Sequence, residues 1–465
     1  MKKKVFALPF SIIVALSFSL VATGCDFFDL INKPQTSSSS KALEDSSSIM
    51  DSIDPSQSSS SPSCESDSSS PSESTSGSSE EQKLTPISFH FIEENVQYTG
   101  DAIYIKAGDT DILIDSGAAK GVGATIKNYL DNYVTDGKLE YVFSTHAHQD
   151  HIAGFVGKSN KNQEGGRDGL LYTYKIDNLI DFSYYMDNKI AIDNSDTHSL
   201  TEEEKDGSTL IYKDYLKARS YAMSKGAKHF VAKDLTSLGK NWKVTLGEGV
   251  SMTLLYQFYY DHTQKETKDL DPSYSPSGFS NQNDCSLALL FEQGTKKMLF
   301  TGDAEEYAES SLVRSNSELG PVSLFKAGHH GSPTASGSEL LNIIKPEAVV
   351  ACCVAGNTEY GQKEKETTFP GQDVIDRVSN YTDRFYVTTE GSFEDKNYHV
   401  PLNGNVVFSY DENGVESVTF SSSSEKLKNT AWFLANRTMP EPWKEKDNQS
   451  SLPFLLPPKV QEDEK

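Results

Sequence analysis

A layered α/β domain behind a long unstructured leader is the fold class that this 465-residue sequence predicts. Three observations predict it. Short alternating segments separated by turns run from Ile87 to Ile114 and read as an antiparallel meander. A helix-period segment and a further apolar strand follow at once, and strand and helix patterns then alternate as far as Thr389. The leader has no such periodicity. Between Ser37 and Ser79, 23 of 43 residues are Ser, a composition that buries too little apolar surface to offset the entropy of ordering.

The leader reads as an address followed by a tether. Lys2, Lys3 and Lys4 precede an apolar run from Val5 to Val21, and Ala22-Thr23-Gly24-Cys25 closes it. This predicts a secretion signal over residues 1–24, too short and too abruptly ended for a comfortable spanning helix. Its ending resembles a bacterial lipobox, which implies a lipid on Cys25 and a body anchored to the outer face of the cell membrane. Residues 25–85 then form a Ser-rich flexible linker with a random-coil reach of ~40 Å.

The ordered domain is expected over 86–424, with a polar tail over 425–465. Strands are expected at Ile87–Ile92, Ala102–Ile105 and Asp111–Ile114. Ile126, Leu130 and Val134 stand at helical spacing, so a helix is expected over 124–134, and Leu139–Phe143 is the next strand. Residues 157–245 are less legible and read as an elaboration, with one helix over 210–222. Strands are expected within 244–259 and a polar loop at 263–282. A hairpin over 287–300 turns at Gln293-Gly294, and a helix follows over 304–313. The segments 340–344, 348–354, 372–378 and 384–389 continue the alternation, and 405–408 with 415–420 make a closing hairpin.

Composition excludes several function classes. Lys and Arg number 43 against 67 Asp and Glu, a net charge of −24. That balance argues against passive adhesion to nucleic acid or anionic lipid, while leaving room for a local cationic site. Only 36% of residues are hydrophobic, which rules out a multi-span membrane protein. Cys64 falls in the linker. Cys285, Cys352 and Cys353 sit in apolar runs and read as buried small residues, with no spacing for a disulfide framework or a Cys-based zinc site.

The chemistry is carried by four short segments. Thr145-His146-Ala147-His148-Gln149-Asp150-His151 packs three of the chain's ten His and one Asp into six residues after an apolar strand. Imidazole and carboxylate are the ligands of Zn, Mn and Fe sites. His146 and His148, two residues apart at a strand end, point to one side and can share an ion. Asp150 and His151, in the turn that follows, can face a neighbouring ion. Asp115, in Asp115-Ser116-Gly117, is placed to orient a ligand His from behind. Asp303, in Thr301-Gly302-Asp303, is a candidate bridge between two ions. Lys326-Ala327-Gly328-His329-His330-Gly331-Ser332 adds two more His.

In this order the four segments resemble the metallo-β-lactamase fold family, and most closely its subgroup of ComEC-like DNA-uptake proteins. Gly100-Asp101-Ala102 and Asn283-Asp284-Cys285-Ser286-Leu287 add to that likeness. The resemblance implies an αββα four-layer sandwich with two divalent ions at its edge, Zn by default and Mn as the alternative. His146 and His148 would hold one ion, Asp150 and His151 the other. Asp303 would bridge, His330 would complete the second site, and His329 would face substrate.

Many family members carry one more His between the first cluster and the bridging Asp. Here Asn283 stands in that place, an expected supporting residue. His198, His229 and His262 are the remaining candidates for the missing ligand. Phe369-Pro370 replaces a His-Pro found in relatives.

The function so implied is hydrolysis by a water activated between the ions. Asp150 would orient that water, and His329 or Lys326 would assist the leaving group. The leading expectation is a lipid-anchored extracytoplasmic phosphodiesterase acting on nucleic acid or an envelope phosphodiester. An acyl hydrolase of lactones or β-lactams, and a metal-binding surface module with little turnover, are the alternatives.

Overall fold

A computed structural model of the chain describes residues 83–187, 190–195, 199–262, 282–359 and 362–444. The expected signal peptide, Cys25, Cys64, nearly all of the linker, His198, the loop over 263–281 and residues 445–465 lie outside them.

Two eight-stranded sheets form the body. The first contains β1 (Ile87–Phe91), β2 (Ile103–Ala107), β3 (Thr110–Ile114), β4 (Lys138–Ser144) and β5 (Lys175–Asp181). After a two-stranded ribbon of β6 (Tyr184–Asp187) and β7 (Ile190–Asp193), β8 (Lys228–Val231) rejoins it. The second contains β9 (Trp242–Gly247), β10 (Val250–Leu255), β11 (Ala288–Gln293), β12 (Lys296–Phe300), β13 (Leu324–Lys326), β14 (Val349–Ala355), β15 (Phe385–Gly391) and β16 (His399–Pro401), in the order β16-β15-β14-β13-β12-β11-β10-β9. The closing hairpin, β17 (Val406–Tyr410) and β18 (Glu416–Phe420), returns to the first sheet beside β1, giving the order β18-β17-β1-β2-β3-β4-β5-β8.

The meander β1–β3 is antiparallel and β3, β4, β5 and β8 run parallel. Parallel pairing likewise joins β12 through β15. Such strands need crossover helices. Helices α1 (Val122–Leu130), α2 (Gln149–Val156) and α3 (Leu210–Ser224) cover the first sheet. Helices α4 (Glu306–Ser315), α5 (Ser338–Ile344), α6 (Gln372–Ser379) and α7 (Ala431–Asn436) cover the second.

The two-residue period of the strands builds the layers. On β3, Ile112 and Ile114 enter the apolar layer between the sheets, while Leu113 meets Ile126 and Phe155 in the layer beneath the helices. On β14, Val350 and Cys352 face the other sheet, and Val349, Ala351 and Cys353 face α4–α6. A strand buried on both faces reads as an unbroken apolar run, so the adjacent cysteines are buried core residues on opposite faces. Helix, sheet, sheet and helix follow one another: the αββα sandwich.

Three expectations change. Residues 157–245 are not only an elaboration, because β5 and β8 extend the first sheet. Their polar content (Asp177 and Asn178 within β5) hid the strand pattern. Asp150 and His151 lie in the first turn of α2 rather than in a turn, with His148 as its extended N-cap. The fold also continues past residue 424. Leu427, Trp432, Phe433 and Trp443 are buried against α5 and α6, so the expected tail is ordered to Lys444.

Candidate metal centre

The C-terminal ends of parallel strands from both sheets meet at one edge of the sandwich. Asp115 follows β3, His146 and His148 follow β4, Asp303 follows β12, and His329 and His330 follow β13. Backbone bonds stitch these loops together: Asp101 N–H donates to Asp150 O (3.1 Å), Ser116 N–H to His151 O (2.7 Å) and His329 N–H to Gly302 O (3.2 Å).

Asp303 Oδ2 is the hub. His151 Nε2 lies 3.0 Å from it, His330 Nε2 3.2 Å, His329 Nε2 3.8 Å and His146 Nε2 3.9 Å. His148 Nδ1 is 3.1 Å from His146 Nε2, and Asp150 Oδ2 is 3.4 Å from His330 Nε2. All six expected ligands therefore converge. Asp101, His151, Asp303 and His330 each offer one buried ligand atom within 4.8 Å of the others.

Behind the cluster, Asp115 Oδ2 is 2.7 Å from His151 Nδ1 and takes the Thr145 hydroxyl proton at 2.7 Å. The carboxylate holds the His151 ring so that Nε2 faces Asp303. His330 Nδ1 donates to the Cys352 carbonyl at 2.9 Å, which turns its Nε2 to the same point. Asn283 Nδ2 donates to Glu305 Oε1 (3.1 Å), and Glu305 Oε1 lies 3.2 Å from His329 Nδ1.

Lys326 departs from its expected place. Its ammonium is wholly buried, 2.5 Å from Asp101 Oδ2 and 3.4 Å from Asp303 Oδ1, with the Gly302 carbonyl at 3.0 Å. A cation so enclosed braces two carboxylates and does not present a proton to a leaving group. His229 and His262 stay outside the cluster. The first pairs with Asp181 at 3.1 Å, and the second stacks on Phe258 with its Nδ1 on that residue's carbonyl.

Sequence reasoning passed over Asp101 and Glu305. Asp101 stood only as part of a Gly-Asp-Ala segment, and Glu305 was not singled out. The one available signal was a carboxylate lodged between Gly100 and Ala102 just before an apolar strand.

The electrostatics suit a cation. Burial favours the neutral form of every carboxyl here. It is nevertheless outweighed at Asp303 by His151, His330, His329 and Lys326, which hold the acid well below its usual range. At Asp101 and Asp150, burial is likewise overcome by Lys326 and His330 respectively, and both are shifted down. Burial, with His151 and His148 adjacent, pushes His146 well down, so its imidazole is neutral as a ligand must be. His151 Nε2, His330 Nε2 and Asp303 Oδ2 are buried, and their contacts at 3.0 and 3.2 Å are with one another and not well-formed hydrogen bonds. Buried polar atoms are rarely left so, and three converging on one point with ligand chemistry fit a divalent ion. A cleft of about 550 Å³ opens beside them, lined among others by Tyr98, Thr99, His148, Asp150, Glu359 and Lys396.

Residues 95–157 match the sequence model of the metallo-beta-lactamase superfamily. Recombination protein 2 of Haemophilus influenzae is 29% identical over 99 residues, 21% of this chain and 11% of that protein. The chain thus spans about a tenth of the length of this curated relative. Among solved structures, the metallo-beta-lactamase fold protein YhfI of Bacillus subtilis is 9% identical, with 68% of this chain and 99% of that chain covered and a TM-score of 0.32. A probable metal-dependent hydrolase of Staphylococcus aureus is 14% identical, with 74% and 100% covered and a TM-score of 0.28. For a diphosphatase of the PhnP family the values are 10%, 57%, 85% and 0.27.

Proposed function

We propose that this chain, a metal-dependent hydrolase of the metallo-β-lactamase fold, cleaves phosphodiesters in the cleft beside Asp150. The observation that carries the reading is the placement of one exposed cation, Lys396, in the same cleft as His148 and Asp150. A diester carries one negative charge that such a cation pairs with, while the acidic remainder of the chain gives no long track for a polyanion.

His146 and His148 would hold one divalent ion and Asp150, His151 and His330 the other, with Asp303 at the centre of the set. Zn is the metal that this His-rich set favours, with Mn the alternative. Bound there, the ions supply Lewis-acid polarisation of a phosphoryl oxygen and lower the pKa of water. Asp150, ionised and at the cleft wall, would accept a hydrogen bond from a water in the cleft and so orient it. Asp115 keeps His151 in the tautomer that leaves Nε2 for metal. Tyr98, 51% exposed at the cleft mouth, offers an aromatic face to the diester's organic group.

Full-length protein reloaded with Zn or Mn should hydrolyse bis(p-nitrophenyl) phosphate. Asp303→Ala should lower that rate by more than the roughly 10–100-fold that follows loss of a residue behind a ligand. Nitrocefin cleavage without diester cleavage would transfer the reading to acyl hydrolysis, and bound ions with neither activity would make this a binding module.

The domain works outside the cytoplasm, tethered by lipid on Cys25; the support is the leader, with its lysines, apolar run and Cys25. Cys25→Ser should abolish labelling by radioactive fatty acid and free the protein from the membrane fraction. Unchanged labelling would refute the anchor.

A further inference from the structure

The cleft beside Asp150 has two walls. One comes from the first sheet, through Thr99 between β1 and β2 and through Asp150. The other comes from the second sheet, through Thr358 and Glu359 after β14 and Lys396 between β15 and β16. Asn357, itself buried, fastens the two together. Its Nδ2 donates to the Gln97 carbonyl at 2.7 Å and to the Lys396 carbonyl at 3.1 Å.

The Glu359 carboxylate is fixed across the same seam. Both of its oxygens accept the Thr99 N–H, at 2.8 and 3.0 Å. The Thr99 hydroxyl in turn accepts the Val354 N–H at 3.0 Å. The acid is thus held in the cleft by the backbone of the opposite wall. Burial pushes its pKa from 4.5 up to about 7, against the Thr99 N–H, which pulls it down. At pH 8.5 the carboxylate is charged.

The charges of the cleft decide what it accepts. Asp150 belongs to the metal centre in the reading above, which leaves Lys396 and Glu359 to meet the substrate. Thr358 Oγ1, buried without a hydrogen-bond partner among the described residues, adds a neutral donor. A phosphodiester carries one negative charge, which Lys396 matches. A phosphomonoester carries up to two, because its second pKa is near 6. No second Lys or Arg lines the cleft among the described residues, so the added charge meets Glu359 instead.

We propose that Glu359 is a specificity-determining residue that restricts the cleft to singly charged phosphoryl groups and turns away doubly charged ones, the product of hydrolysis included. Attack of water on phosphorus breaks one P–O bond. One proton of the water leaves with the alcohol, and the other is lost as the monoester ionises, so the charge rises from one to two. Repulsion by Glu359 then favours departure of the product. The proposal rests on the phosphodiester reading for the identity of the substrate, while charge selection at Glu359 is decided by binding alone.

Two uncleavable probes test it. Methyl(phenyl)phosphinate carries one charge and phenylphosphonate two at pH 8.5, and neither has an ester to hydrolyse. Titration calorimetry on Zn-loaded full-length protein gives the ratio of their affinities in wild type and in Glu359→Gln. Gln keeps an oxygen for the Thr99 N–H and loses the charge. In the variant the phosphonate should gain about tenfold over the phosphinate, the order of effect of one like charge within roughly 10 Å in a partly buried site.

An unchanged ratio overturns the proposal. If Glu359→Gln fails to fold by circular dichroism, Glu359→Ala is titrated in its place, and an unchanged ratio there overturns it equally. A shifted ratio in a protein that never cleaves bis(p-nitrophenyl) phosphate upholds the charge selection and refutes only the diester reading.

Discussion

Glu94 lies beside the metal centre with one carboxylate oxygen accepting the Ala118 N–H at 2.9 Å and the other buried without a partner. Burial, with Asp101 adding, lifts its pKa from 4.5 to about 8. The raised value means that the fold prefers the acid form. The stability Glu94 contributes is therefore fully present below about pH 4.5 and is lost as pH rises through about 8. Metal-free protein should melt lower at pH 8.5 than at pH 5.5, and Glu94→Gln, always neutral, should narrow that gap. An unchanged gap in the variant would show that other groups set the pH dependence. Nothing in the sequence announced Glu94. Its neighbours, Glu93 and Asn95, are as polar as it is, and only the closing of Gly100 and Gly117 around its carboxyl sets it apart.

Among the elements, α2 has the tightest constraint. It presents Asp150 and His151 from its first turn and buries Ile152, Phe155 and Val156 behind them. Gly154 lets it approach the loop after β3 closely. A Cβ at that position would stand 2.0 Å from the Ser116 carbonyl oxygen, against backbone that cannot swing aside. Gly154→Ala should therefore destabilise the protein by about 1–3 kcal/mol, the usual penalty for overpacking. The midpoint of urea unfolding measures this, and an unshifted midpoint would refute the close approach. The same contact sets His151 against Asp115, so metal affinity should fall together with stability. Gly154 closes the histidine segment in the sequence, where its spacing is visible but the carbonyl it must clear is not.

For the whole molecule, the segment after residue 424 decides where the domain ends. Trp443 is fully buried, and its indole N–H donates to the Thr382 carbonyl at 2.8 Å. It packs with Phe433 in the layer that covers the second sheet, the sheet carrying Asp303 and His330. Trp443→Ala should lower stability by about 3–5 kcal/mol, measured by thermal unfolding, and a chain ending at 424 should not fold to a single cooperative unit. A truncated chain with wild-type melting would restore the shorter boundary. Polar composition made this segment look like a tail, because its apolar residues are few and widely spaced.

The sequence by itself determined the layered α/β class, the meander, the alternation of strands and helices, and the clustering of candidate His and Asp ligands. Each of these is written in a local period or in residues a few positions apart: alternate residues for the strands, every third or fourth for the helices, and three His and an Asp within one short segment. Tertiary structure alone decided what depends on distant backbones meeting. It buried Lys326 between Asp101 and Asp303, although its sequence position beside two His had suggested a place in the cleft. It set Glu305 behind His329 and drew Asp101 into the cluster from the entrance to β2. It also returned residues 427–443 to the core. Local periodicity reports which face of an element is apolar. Which carboxylate stands behind which imidazole is settled only when the ends of two sheets close on one point.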